Sequence, residues 1–247
     1  MLNSLEVGYT IEENDMQFAE TETGKQYWDA ISGVLLDPKL VEAARADELK
    51  IAHSFPVWEK VPLSEAQGHE IVNTGWVDIN KGDDEHPNYR SRVVGKELKC
   101  KDPHREGVIS ATPPIEILKL FISLFLMLLY VQKWHTVEPD EVWKLQFLDI
   151  SRAHFHAAAA RLQFIRLPPG DELEGHVGKL LRSLYGTRDA SRNWEAVWAK
   201  LLTNIQFVLG TFSICVLYNV ERQLFVFVHG DDFINLGKNK EVEWLKQ

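Results

Sequence analysis

Leu224-Phe225-Val226-Phe227-Val228-His229-Gly230-Asp231-Asp232-Phe233-Ile234-Asn235-Leu236 is the stretch that decides the fold. Gln223 to Val228 and Phe233 to Leu236 are apolar runs of strand length, and the residues between them are polar and contain a glycine. This predicts two strands meeting at a hairpin tip. Two adjacent carboxylates at such a tip repel one another and lose part of their hydration, so they are costly without a compensating cation. Hard divalent ions with oxygen ligands are the favoured compensators. The tripeptide recurs as Gly82-Asp83-Asp84, but there it stands among Lys81, Glu85, His86, Pro87 and Asn88, a water-facing turn in which acids need no explanation.

Working outward, Val142 to Ile150 reads as a strand closing on a carboxylate, Asp149. An antiparallel neighbour in the same sheet would bring Asp149 beside the hairpin tip and complete a set of three acids, the kind that holds two metal ions in phosphoryl chemistry. Spacing alone leaves a second reading open, two surface acids and one strand-end acid, because three-letter motifs recur by chance. Further out, Asp37-Pro38 predicts a helix start, with the helix running to about Lys50. Ile71 to Asn73 and Gly75 to Asn80 predict a strand that turns through 81–88 and returns as Tyr89 to Val94, with Arg90 and Arg92 on one face. A Pro- and Ser-rich loop is expected before that hairpin. Thr112-Pro113-Pro114 opens a long apolar helix ending near Val131, read as buried. Pro168-Pro169-Gly170 marks a turn, and Trp194, Val197, Trp198, Leu201 and Leu202 give Asp189 to Thr203 an amphipathic helical period.

Composition sets the bounds. The chain has 247 residues, 45% hydrophobic and 26% charged, enough for one large domain or two small ones. Its net charge of -9 argues at first against nucleic acid, but residues 1–50 alone carry a net of -7. Arg90, Arg92, Lys96, Lys99, Lys101 and Arg105 form a basic stripe against only Glu97 and Asp102. Such a stripe can hold phosphates despite the total, since charges beyond about 8–10 Å are screened; a solvated hairpin is the plainer alternative. Cys100 and Cys215 lie far apart and support neither a disulfide framework nor a zinc knuckle. Met1 to Asn14 lacks the pattern of a signal peptide, and Leu120 to Val131 reads as too short to span a bilayer. The expectation is an intracellular, cytoplasmic protein with access to the nucleus and without a membrane partner. Gly170 and Gly175 have P-loop separation, but His176 stands where Lys is needed, and no Gly-x-Ser-x-Gly elbow occurs.

Five blocks in order resemble the reverse transcriptase domain of copia-type long-terminal-repeat retrotransposons, over about residues 28 to 239. They are Trp76-Val77 with Tyr89-Arg90-Ser91-Arg92-Val93-Val94; Leu148-Asp149-Ile150 with Ala153 and Phe155; Leu167-Pro168-Pro169-Gly170; Ser183-Leu184-Tyr185-Gly186 with Arg188, Ala190, Arg192 and Trp194; and Val228-His229-Gly230-Asp231-Asp232. The resemblance implies that Asp149, Asp231 and Asp232 are catalytic and bind two magnesium ions, or manganese in their place, with the carbonyl of Ile150 as a further ligand. It implies that Arg90 and Arg92 grip the triphosphate of the incoming nucleotide and that Gly186 and Arg188 lie near nucleotide and template. Arg188 also has a plainer reading, a helix-entry charge opposite Asp189. The family usually has Tyr-Val where His229-Gly230 stands here. His154 takes the place of the Phe or Tyr that acts as a steric gate against the ribose 2'-hydroxyl.

The implied fold is α+β, a right-hand polymerase with fingers and an antiparallel palm sheet flanked by helices, the thumb being absent. Residues 1–36 form an acidic lead-in and 37–247 the polymerase domain, with fingers at about 51–112 and 163–188 and palm at about 113–162 and 189–247. The implied partners are an RNA or DNA template with its primer and a deoxynucleoside triphosphate. Oligomeric state is left open. Two alternatives stand beside this: an inactive truncated remnant that keeps the fold, and, more weakly, an RNA-dependent RNA polymerase, disfavoured because no acid occurs between Asp149 and Asp171.

Overall fold

Among the described residues hydrogen bonding forms four sheets, and the largest, of five strands, carries the Gly230-Asp231 turn at its end. The computed structural model describes residues 25–97, 111, 113–133 and 136–246. The basic residues Lys99, Lys101 and Arg105, together with Cys100, Thr112 and residues 1–24 of the acidic lead-in, lie outside the described residues.

Strands β1 (Tyr27–Trp28) and β2 (Leu35–Leu36) pair as a small hairpin inside the stretch expected to be a loose lead-in. Asp29 makes that possible: its carboxylate accepts from the amides of Ile31 and Ser32 at the turn and from the amide of Asn80 at 2.7 Å. Helix α1 (Pro38–Ser54) starts where predicted, with Asp37 accepting from the amides of Lys39 and Leu40, and runs four residues past Lys50. Strand β3 (Trp58–Pro62) occupies part of the expected loop. Then follow β4 (Ile71–Val72), β5 (Thr74–Asn80), β6 (Tyr89–Gly95), α2 (Ile115–Gln132), β7 (Trp143–Asp149), β8 (Phe164–Ile165), β9 (His176–Leu180) and α3 (Ala190–Asn204). The chain finishes through β10 (Val208–Leu209), β11 (Val216–Asn219), β12 (Leu224–His229), β13 (Asp232–Lys238) and α4 (Asn239–Leu245).

The five-stranded sheet runs β10-β11-β12-β13-β7, a second sheet runs β3-β9-β8-β4, and β5 and β6 form their own hairpin. Strand alternation sorts the faces of the larger sheet. Leu224, Val226, Val228 and Phe233 point to one side, where Trp194, Trp198 and Leu202 of α3 and Val242 of α4 cover them. Phe227, Ile234 and Leu236 point to the other and meet Phe121 of α2. Each such side chain contributes roughly 1.5–3 kcal/mol on burial. Asn235 and Gln146 face each other across β13 and β7, buried, with Asn235 Nδ2 donating to Gln146 Oε1 at 3.1 Å. A one-residue slip would separate that pair and reverse every face, so it helps fix the register that sets Asp232 against Asp149.

Helix α2 departs from the expectation of a buried helix. Phe121 is buried, but Leu120, Leu126, Met127 and Tyr130 are each more than half exposed. The cause is geometric: α2 is apolar around most of its circumference, and one sheet face covers only one flank. By length and composition its 18 residues, at mean hydropathy 1.9, are long and apolar enough to cross a bilayer. Lys119 and Glu116, expected to interrupt the apolar run upstream of Leu120, do not bring the 18 residues below that level. Leu201 of α3, expected on the core face, is likewise 60% exposed, while Trp194, Trp198 and Leu202 are buried.

Candidate active site

His229 pairs with Asp232, which leaves Gly230 and Asp231 as a two-residue hairpin turn. Gly230 has φ +66 while Asp231 keeps a negative φ. Glycine at the first central position with that sign pattern is a type II′ turn, whose twist matches the strands it joins. Both turn carbonyls are held from outside the hairpin. Trp194 Nε1 donates to the Gly230 carbonyl at 2.8 Å, and the Ile150 amide donates to the Asp231 carbonyl at 3.0 Å. The residue after Asp149 is therefore bonded directly to the turn.

Asp232 lies opposite Asp149 in the β13–β7 ladder. Residues opposite one another share a face, with Cβ atoms about 4.5–5.5 Å apart. Both carboxylates occupy the open end of the face that α2 covers further along, and Phe147, two residues before Asp149, is 64% exposed there. Asp231 is half-buried and acts electrostatically on His154 and Tyr185. Among the described residues no three His, Cys, Asp or Glu side chains are gathered as the ligands of one metal ion would be. The opposed pair fits a hard divalent cation in donor type and in register; Asp231 sits beside them in the turn.

The β5–β6 hairpin supplies the cationic side. The Arg92 guanidinium lies 5.2 Å from the centre of the Tyr185 ring, and the centroids of the His154 and Tyr185 rings are 4.4 Å apart. Arg92, His154, Tyr185 and Asp231 are thus brought together, whereas Arg90 is solvent-exposed one pleat nearer the 81–88 turn. His154 lies in a 3-10 turn, Ala153–His156. Burial holds its imidazole below the usual range; Asp231 opposes that shift and Arg92 adds to it. Its Nδ1 is buried without a hydrogen-bond partner. Gly186 has φ +76, and a Cβ there would come within 2.2 Å of the Gly95 carbonyl, so glycine permits the loop to lie directly on the end of β6. The Arg188 amide donates to Glu97, and the Asp189 carboxylate accepts from Arg161 Nε at 2.7 Å.

Three residues of this region were missed as site residues. Glu48 of α1 is fully buried and pairs with Arg152 at 2.5 Å, Arg152 itself having φ +54. Burial raises the Glu48 carboxyl pKa even against Arg152, and Arg92 also acts on it. Neither residue falls in a recognisable pattern, because 104 positions separate them. Tyr185 stood within a quoted motif, but nothing in its spacing showed that its ring would meet both Arg92 and His154.

A family described as reverse transcriptase (RNA-dependent DNA polymerase) matches residues 56–247. The chain is 24% identical over 203 residues to the Retrovirus-related Pol polyprotein from transposon RE1 of Arabidopsis thaliana, covering 79% of this chain and 13% of that protein. It is 26% identical over 178 residues to the Transposon Ty1-BL Gag-Pol polyprotein of Saccharomyces cerevisiae, covering 70% of this chain and 9% of that protein. The chain thus spans a small fraction of the length of the curated relatives it matches.

Proposed function

The chain belongs to the reverse transcriptase family of copia-type retrotransposons, and on that premise we propose that it performs RNA-directed DNA synthesis, adding deoxynucleotides to a primer on an RNA or DNA template. The observation that carries the reading is the opposition of Asp149 and Asp232 across one ladder, with Asp231 in the adjoining turn. The five-stranded sheet with α2, α3 and α4 acts as the palm. The β5–β6 hairpin and the four-stranded sheet act as the fingers.

In the proposed reaction the primer 3'-hydroxyl attacks the α-phosphorus of the nucleotide, an O–P bond forms, and the bond to the leaving pyrophosphate breaks. Asp149, Asp231 and Asp232, with the carbonyl of Ile150, would hold magnesium or manganese ions, which when bound supply a more acidic hydroxyl and charge neutralisation. Arg92, braced on the Tyr185 face, and the exposed Arg90 neutralise charge on the triphosphate as the pyrophosphate leaves. His154, on which the Asp231 charge acts, would contact the sugar. Primer extension on an RNA template, with and without magnesium, tests the reading. Magnesium-dependent addition of deoxynucleotides is expected; a folded protein that binds primer-template and adds none matches the alternative of an inactive remnant.

A further inference from the structure

Apart from the hydrogen bonds that Trp194 and Ile150 donate to its two carbonyls, the Gly230-Asp231 turn has little around it to fix its shape. A Cβ placed on Gly230 would meet nothing within 4 Å, so packing does not hold that residue. The sequence permits a second turn as well. Type I′ differs from type II′ by a flip of the central peptide, which reverses the Gly230 carbonyl and gives Asp231 a positive φ, a conformation Asp tolerates. In the structure that carbonyl faces α3, where the Trp194 indole N–H meets it at 2.8 Å. The indole is itself fixed: Trp194 is 7% exposed, and its ring lies edge-on to Phe233, the residue after Asp232, at 6.3 Å.

We infer that Trp194 is a positioning residue that selects the type II′ turn and thereby sets the direction of the Asp231 carboxylate. A flip would break the bond to Trp194 and leave its N–H without its acceptor in a buried site. The same flip would swing the Asp231 amide and rotate its Cα–Cβ bond relative to Asp149 and Asp232. Trp194 touches no reacting atom; it acts through the peptide between Gly230 and Asp231. The consequence for catalysis rests on the polymerase reading above, whereas the consequence for turn geometry does not.

The test uses the full 247-residue chain with two changes at one position. Trp194→Phe removes the N–H and part of the ring. Benzothienylalanine at 194 keeps the bicyclic shape and replaces only the N–H by sulfur, so it remains informative if the Phe variant folds poorly. The first readout is the Asp231 three-bond coupling between Hα and the preceding carbonyl carbon by NMR, which is small at negative φ and several-fold larger at positive φ and needs neither metal nor substrate. The second is manganese affinity by titration, and the third is the split between kcat and KM for the nucleotide. A merely space-filling indole would leave the coupling unchanged in the benzothienylalanine protein. The inference expects a shift of Asp231 toward positive φ, manganese binding weaker by about 3- to 10-fold, the worth of one hydrogen bond, and a fall in kcat with KM retained. An unchanged coupling in the benzothienylalanine protein overturns the inference. A wild-type chain that binds no manganese and extends no primer overturns the polymerase reading instead, and the coupling still decides the role of Trp194.

Discussion

His154 sits where burial and charge act in opposite senses on one imidazole. Burial disfavours its cation, Asp231 favours it and Arg92 disfavours it, with burial dominant. The ring is therefore held neutral in the fold below the pH at which an unfolded chain takes up a proton, 6.5. For a base with a depressed folded pKa, the unfolded state binds more protons as pH falls through 6.5, so stability declines there and levels off below the folded value. Replacement by Tyr removes that linkage, and the difference in Tm between wild type and His154→Tyr should change as pH falls below 6.5 and stay constant above it. The same variant tests the sugar contact. A larger ring should raise the ratio of kcat/KM for deoxy over ribo substrates on one template, and an unchanged ratio in a folded, active variant would remove His154 from the nucleotide site. At this scale the carboxylates were legible because each closes an apolar run: Asp149 ends β7, and Asp231 and Asp232 join β12 to β13. Glu48 and Arg152 were not, since an ion pair formed by packing α1 against the turn after β7 leaves no local pattern.

Helix α2 shows why patterning reveals an element more readily than its environment. Its start after Pro113-Pro114 and its apolar length were plain, but a helix apolar around most of its surface gives no sign of which flank is covered. The structure assigns the covered flank to Phe121, which meets Phe225 and Phe227 of the sheet. Phe121→Ala should lower unfolding free energy by about 3–5 kcal/mol in chemical denaturation, while Leu126→Lys should stay within about 0.5 kcal/mol. Equal losses would place α2 in some other orientation. Strands β8 and β10, of two residues each, escaped the sequence reading of alternation because two residues carry too little of a two-residue period. The small β1–β2 hairpin owes its form to Asp29, whose carboxyl is lowered to about 2 by the amides of Ser32, Asn80 and Ile31. A depressed carboxyl gives stability above its unfolded value of 3.8 that is lost as pH falls through about 2. Asp29→Asn should therefore be less stable than wild type near neutral pH, and the gap in Tm should close as pH falls from 4 toward 2.

Across the whole molecule, two Gly-Asp-Asp copies receive opposite surroundings. Asp83 lies in the exposed turn between β5 and β6, where it accepts from the amides of Glu85 and His86 and shapes its own loop. Asp232 lies at the end of a five-stranded sheet, opposite Asp149 and beside a turn anchored by α3. The sheets place the cationic face of β6 against that end through Arg92, Tyr185 and His154. Flanking sequence alone distinguished the two copies, because apolar strands and polar turns differ in composition; the fingers-side contacts depended on distant packing and were visible only through family likeness. The two copies therefore provide an internal control for the central claim, that chemistry belongs to the acids of the sheet end. Single-nucleotide addition to a primer on an RNA template, in magnesium, should be compared for wild type, Asp232→Asn and Asp83→Asn at matched protein folding. Asp232→Asn is expected to lose addition while Asp83→Asn retains it; addition by Asp232→Asn at the wild-type rate would remove the chemistry from the sheet end.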